Sequence, residues 1–217
     1  MDLRRRGARD QGQAFPIYVV MVAGLLFAAL ALFAIGQASV TRSDAQGAAD
    51  AAALAAGREA RDTVLRGLDL TSVKPADWNR IVDGRLFKVG EACAAAEAFA
   101  TKNDAEATAC EPVPPRFTVT VKTDRTVGES VVPETGSMHG TATATALIEP
   151  KCRLGAVSAP SPTPTTSAGG GSPSPTPTPT PSTVSFSCGG ELVKLDPLAP
   201  GSLSALTRKL FSVRLVD

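Results

Sequence analysis

The sequence is poor in the residues that build large cores and metal sites. Aromatic residues make up only 5% of its 217 residues, with a single Trp and a single Tyr. Because large side chains dominate core energetics, we expect a thin hydrophobic core. The chain has one His, His139, and four Cys that form no Cys-x-x-Cys pair. Zinc sites need clustered Cys and His ligands at short spacing, so the sequence predicts no metal site.

The sequence also lacks an excess of one charge and any catalytic motif. It has 22 Lys and Arg against 21 Asp and Glu, whereas nucleic-acid-binding domains usually carry a basic face. The triplet Gly169–Gly171 is not followed by Lys and Ser or Thr, as a phosphate-binding loop requires. Ser137 and His139 lie two positions apart, a spacing that is common by chance. We therefore expect no nucleic-acid partner, no enzyme activity, no cofactor and no small-molecule substrate.

Charged residues are absent from residues 15–35, which have the sequence FPIYVVMVAGLLFAALALFAI. A helix of this length spans about 30 Å, the thickness of a bilayer's hydrocarbon core. Four Arg lie within the first ten positions, so the positive-inside rule predicts a cytoplasmic N-terminus, residues 1–14, and an extracellular C-terminal domain. We predict a single-pass protein of the cell membrane. The alternative is a secretory signal peptide cleaved near Gly36-Gln37-Ala38, although the apolar region of signal peptides is usually shorter, about 7–15 residues.

An Ala-rich stretch follows the apolar segment and contains no Pro until Pro75. Ala is the best helix former, so we predict that the helix continues to about Arg66 and ends near Gly67. Small side chains recur in it at three- and four-residue steps, which suits close helix contact: Ala45, Ala49, Ala52, Ala56 and Ala60. This stripe packs either on a sheet of the same chain or against a partner helix in an assembly.

The remainder of residues 36–157 is predicted to form a small antiparallel sheet domain. Polar and apolar residues alternate over residues 116–122, and Thr alternates with Ala over residues 141–148, which indicates two half-buried strands. Residues 91–101 are Ala-rich and predict a short helix. Core residues are expected at Trp78, Ile81, Val82, Leu86 and Phe87. A long helix followed by antiparallel strands is an α+β fold.

A Pro/Thr/Ser/Gly-rich stretch, residues 158–183, divides this domain from the C-terminal segment. It has too little apolar bulk to offset the entropy of ordering, so we predict disorder with extended polyproline segments. Residues 184–217 are predicted to pack back on the domain. They contain a strand at 184–188, a helix at 202–211 and a terminal strand at 213–216.

The four Cys are predicted to form disulfide bonds, because an even Cys count is typical of exported domains. We expect Cys93–Cys110, since these residues flank a short Ala-rich excursion whose loop closes at little entropic cost. We expect Cys152–Cys188 because each follows a predicted strand, so that the bond would join the two ends of the Pro/Thr-rich stretch. Four free thiols are the alternative.

Two segments together resemble one family. The first is Gly12-Gln13-Ala14-Phe15-Pro16, which leads into the apolar segment, and the second is QGAADAAALAA at residues 46–56. Both are similar to the TadE/TadG-like proteins of the tight-adherence (Flp) pilus system, and the Ala and Pro/Thr bias resembles an actinobacterial version. The positions of the second segment that define its helix-packing motif are Gln46, Ala49, Asp50, Ala52, Leu54 and Ala56.

The resemblance implies a non-catalytic, pilin-like component of a Flp/Tad-type pilus assembly or secretion system. Its partners would be the lipid bilayer and, through the N-terminal helix, other pilus-assembly membrane proteins or pilins. Gly12 is a candidate processing position, but processed pilins carry an acid five residues past the cleaved Gly, where this chain has Ile17. A cell-surface or wall-associated binding protein with the Pro/Thr stretch as spacer is the alternative function.

Overall fold

A computed structural model describes residues 14–128, 135–157 and 183–216. Gly12, the basic N-terminal residues and all but the last residue of the stretch 158–183 lie outside the described residues. Within the described residues the predicted α+β class is confirmed. The helices are α1 Ala14–Thr63, α2 Pro75–Val82, α3 Ala92–Thr101 and α4 Leu203–Leu210. The strands are β1 Ala105–Val113, β2 Arg116–Thr126, β3 His139–Pro150, β4 Cys152–Val157, β5 Val184–Cys188, β6 Glu191–Leu195 and β7 Phe211–Val216.

Helix α1 is one uninterrupted helix of 50 residues that joins the apolar segment to the Ala-rich stretch. It ends at Thr63, slightly before the predicted end at Arg66. The reason is a change in hydrogen bonding, because the amide of Arg66 bonds to the carbonyl of Thr63 in a tight turn. Gly67 then adopts a positive φ of 75°, which reverses the chain after these turns.

The main sheet has the strand order β1-β2-β3-β7, and all its pairs are antiparallel. The predicted alternation in β2 is observed, since Phe117, Val119 and Val121 are fully buried on the face that α1 covers. The opposite face is rich in Thr. There the hydroxyls of Thr118 and Thr145 lie 2.9 Å apart, as do those of Thr120 and Thr143.

A second, smaller sheet has the order β4-β5-β6 and was not predicted as a unit. The C-terminal segment contributes β5 and β6 to this sheet, and it also adds β7 to the edge of the main sheet. Between the two sheets, Trp78 of α2 packs edge-on against Phe186, with ring centroids 5.7 Å apart. Phe87 and Phe211 make a similar contact at 5.1 Å.

The elements around α1 have a defined direction relative to the apolar segment. Strand β3 runs the same way as α1, because Gly140 lies against Thr41 whereas Ala146 and Ile148 lie near Gly57. Helix α3 runs the opposite way. The residues before it line a cavity with Thr63, and the turn after it, residues 102–104, lines a cleft with residues 41–48. The α3–β1 turn, the end of β2 and the start of β3 therefore lie at the end of the domain nearest the apolar segment, which we call the proximal end.

Candidate functional site

The apolar half of α1 extends away from the rest of the chain. Within the described residues, α1 contains the one stretch that is long and apolar enough to cross a membrane, and none of that stretch is buried against other parts of the protein. Phe15, Leu25, Phe27 and Leu32 are all exposed. A core helix of a soluble protein would be mostly buried, so length, composition and exposure together favour a membrane-spanning segment.

The Ala stripe of α1 is fully buried within the chain itself. Ala45, Ala49, Ala52, Ala56 and Ala60 have no exposed surface. Strands β2, β3 and β7 contact α1 on one side, and α3 contacts it on another, where it contributes three buried Ala of its own. Small side chains are needed because α1 packs closely against both the sheet and α3, and bulkier residues would force these elements apart.

The six positions of the helix-packing motif divide between two faces of α1. Ala49, Ala52 and Ala56 point into the domain. Gln46, Asp50 and Leu54, which recur every four residues, are exposed or half-buried on another face. On that face the side-chain amide of Gln46 donates a hydrogen bond of 2.8 Å to the Asp50 carboxylate. We call residues 46, 50 and 54 the outward face of α1.

The outward face continues toward the apolar segment without a covering element. Arg42 and Ser39, which lie four and seven residues before Gln46, are exposed, and nothing lies within 4 Å of the position that a β-carbon would occupy at Gly36. A partner can therefore approach the α1 backbone closely here, whereas the Ala stripe is already occupied by the protein's own sheet and helix. Sequence reasoning identified these motif residues but could not assign them to separate faces.

Two disulfide bonds are present, and they join the same pairs that the sequence predicts. Cys93 of α3 bonds to Cys110 of β1, which fixes α3 to the sheet edge beside α1. Cys152 bonds to Cys188 directly across the β4–β5 pair. Farther along these strands Val157 is paired with Val184, so the residue before the stretch 158–183 is adjacent to the residue after it.

The residues considered for chemistry have structural partners. The Nδ1 atom of His139 lies 2.6 Å from the carbonyl oxygen of Thr123, so one ring nitrogen is engaged with the backbone. Across the described ranges, no three His, Cys, Asp or Glu side chains lie close enough together to hold a metal ion. The carboxylate of Asp69 has a lowered pKa, mainly because the Thr71 hydroxyl donates a hydrogen bond of 2.6 Å to it. This contact is local to an exposed turn.

The comparison with known families gives a match over most of α1. Residues 12–59 match the family model described as putative Flp pilus-assembly TadE/G-like. The match covers less than half of the chain, but it includes the candidate span and all six positions of the helix-packing motif. Comparisons with curated proteins and with solved structures find no match. The resemblance to the TadE/TadG-like family is therefore confirmed over residues 12–59.

Proposed function

We propose that this protein is a non-catalytic, membrane-anchored, pilin-like component of a Flp/Tad-type pilus assembly or secretion system. The observation that carries the proposal is the continuity of α1. One helix provides both the exposed apolar segment and the central element of the domain core, and this helix is the part that matches the pilus-assembly family.

The continuity of α1 makes the connection between the apolar segment and the domain stiff. No Pro follows Pro16 within α1, and no break separates residues 15–35 from the first fully buried position, Ala45. Pro residues and inserted groups are the usual causes of kinks, so their absence favours a stiff connection. The orientation of the domain relative to the membrane is then set by α1, as an assembly subunit requires.

The outward face of α1 is the proposed contact with pilus-assembly membrane proteins or pilins. Gln46 and Asp50 present a polar pair, and Leu54 lies beyond them on this face, half-buried against the protein's own core. The opposite side of α1 is filled by the domain, so a partner helix would approach along this face, continuing from the lipid-exposed segment. The proposed topology has a cytoplasmic N-terminus and an extracellular domain, in which disulfide bonds are stable.

The test compares two charge reversals in the full chain, expressed together with the pilus-assembly proteins of its host. Asp50→Lys alters the outward face, whereas Asp83→Lys makes the same change at the exposed end of α2. We expect Asp50→Lys to abolish co-purification with pilus-assembly proteins and Asp83→Lys to preserve it, with both variants retaining their disulfide bonds. Equal co-purification of the two variants would contradict the proposed use of this face.

The alternative, a wall-associated binding protein, depends on the Pro/Thr-rich stretch as a spacer, and that stretch lies outside the described residues. Binding of a wall polymer by the full chain, without association with pilus-assembly proteins, would favour this function over the proposed one.

A further inference from the structure

A polar cleft with a volume of about 500 Å³ lies at the proximal end of the domain. Three separate parts of the chain form it: residues 37–48 of α1, the α3–β1 turn at residues 102–104, and the end of β2 at residues 123–126. Its size falls within the usual range of small-molecule sites, about 300–1,000 Å³.

The cleft begins at the depth of the lipid headgroups if residues 15–35 span the bilayer. Gln37 lies two residues past the apolar segment, or about 3 Å along the helix axis, and Asp44 lies about 14 Å past it. The headgroup region extends about 5–8 Å beyond the hydrocarbon core on each side. The lower wall of the cleft therefore faces headgroups, and the upper wall faces water.

The charges that line the cleft are balanced. Lys102 and Arg125 supply two cations, and Asp44 and Asp104 supply two carboxylates. Arg125 donates a hydrogen bond of 2.7 Å to Asp104 through one Nη atom, and both side chains are largely exposed. A ligand with only negative charge would be attracted by the cations and repelled by Asp44, whereas a ligand with both charges can satisfy both.

Apolar side chains at the same end of the domain fit a membrane interface. Met138, directly before β3, is 55% exposed, and Phe99, in the last turn of α3, is 38% exposed. The Lys102 ammonium lies 4.6 Å from the centre of the Phe99 ring. Val40, 57% exposed, lines the cleft on the side toward the apolar segment. A Lys side chain that covers an apolar surface while its charged end stays in water is favoured at membrane interfaces.

We propose that this cleft binds the headgroup of a phospholipid that carries both a phosphate and a primary ammonium, such as phosphatidylethanolamine. The phosphate lies toward Lys102 and Arg125, whose N–H groups donate to its oxygens. The headgroup extends outward from its layer so that the ammonium reaches toward Asp44, and the acyl chains pass Val40 into the bilayer beside α1. The proposal requires that α1 spans the membrane, but it requires no pilus partner.

The test measures lipid binding to the purified full chain by native mass spectrometry from detergent micelles. The probes are phosphatidylethanolamine, phosphatidylcholine, phosphatidylglycerol and the soluble headgroup glycerophosphoethanolamine. The variants are Lys102→Ala and Asp44→Asn, with Lys194→Ala as a control at an exposed position on β6, in the other sheet.

We expect phosphatidylethanolamine to bind most tightly. Lys102→Ala should weaken its binding by about tenfold, as expected for loss of a charge-assisted hydrogen bond. Asp44→Asn should remove the preference over phosphatidylcholine, whose quaternary ammonium has no N–H to donate. Lys194→Ala should change nothing.

Several outcomes would overturn the proposal. These are equal or tighter binding of phosphatidylglycerol, equal effects of Lys102→Ala and Lys194→Ala, and binding of glycerophosphoethanolamine as tight as that of the lipid. The last would identify a site for a soluble ligand. Since none of these measurements involves pilus-assembly proteins, their failure is distinguishable from failure of the proposed function.

Discussion

Gly140 of β3 lies so close to α1 that a β-carbon at this position would sit 2.6 Å from the carbonyl oxygen of Thr41. The added β-carbon would also lie 3.1 Å from the side chain of Thr41 and 3.1 Å from the β-carbon of Ala45. Thr41 is six residues past the apolar segment, so this contact attaches the sheet to α1 close to the proposed membrane surface. A glycine is required here because the atom that it approaches is backbone and cannot move aside cheaply.

Gly140→Ala is therefore expected to destabilise the protein by about 1–3 kcal/mol, the usual cost of inserting a methyl group into a tightly packed contact. The measurement is thermal unfolding of the full chain in detergent micelles, followed by near-ultraviolet circular dichroism. Gly47→Ala is the control, because the added methyl group meets open space. The substitution also replaces a glycine in a helix interior by a better helix former. A Gly140→Ala protein as stable as the Gly47→Ala protein would contradict the close contact.

Ala52→Leu tests the burial of the Ala stripe. Ala52 has no exposed surface, so the larger side chain should separate α1 from its neighbours and lower the free energy of unfolding by about 1–3 kcal/mol. Ala38→Leu, at an exposed position of the same helix, should have little effect. If Ala52→Leu left unfolding unchanged but prevented co-purification with pilus-assembly proteins, the stripe would serve a partner helix instead of the domain.

The two disulfide bonds should differ in their contribution to stability. The Cys152–Cys188 bond closes 36 residues and the Cys93–Cys110 bond closes 17. In the chain-entropy model these loops correspond to about 4 and about 3 kcal/mol. Replacing Cys152 and Cys188 by Ser should therefore destabilise the protein more than replacing the other pair. Peptide mapping without reductant checks the pairing, and full alkylation of all four thiols in the native protein would refute it.

The Glu149–Arg214 pair makes a prediction about pH. Arg214 donates hydrogen bonds of 2.7 and 2.8 Å to the Glu149 carboxylate across β3 and β7, and this lowers the pKa of Glu149 from its ordinary value of 4.5. Because the pKa of Glu149 is lower in the folded state, the pair stabilises the folded state at pH values above the unfolded-state pKa. This stabilisation is lost as the pH falls through the folded-state pKa. Glu149→Gln should therefore reduce the melting temperature slightly at pH 7, and the difference should shrink below about pH 4. A difference that stays constant between pH 7 and pH 3 would show that the ion pair contributes nothing.

The elements with a regular pattern were predictable from the sequence. The buried alternation of Phe117, Val119 and Val121 identifies β2, and the composition of residues 14–63 identifies α1. Strand β1 was missed because its alternation is broken by an irregularity between Ala107 and Ala109 and because only Ala105 is fully buried. The short strands β4 and β6 lie at the edges of a small sheet, where few side chains are buried and the pattern is weak.

The functional surfaces were only partly predictable, because they depend on how separate parts of the chain pack together. A stripe of Ala indicates close packing but not the identity of the packed surface, and only the positions of β2, β3 and α3 show that the domain itself covers it. The proximal cleft was not predicted, because its three parts are distant in the chain: 54 positions separate Ala48 from Lys102, and 19 separate Asp104 from Thr123. None of these parts contains a recognisable motif, so their proximity appears only in the folded chain.

The central claim is that α1 crosses the membrane once and places the domain outside the cytoplasm. The most direct test is a pair of reporter fusions after the last residue, one with alkaline phosphatase, which is active only after export, and one with a fluorescent protein that folds only in the cytoplasm. We expect the phosphatase fusion to be active and the fluorescent fusion to be dark, with both proteins retained in the membrane fraction. A fluorescent C-terminal fusion with inactive phosphatase would contradict the topology, the exported disulfide bonds and the headgroup cleft together.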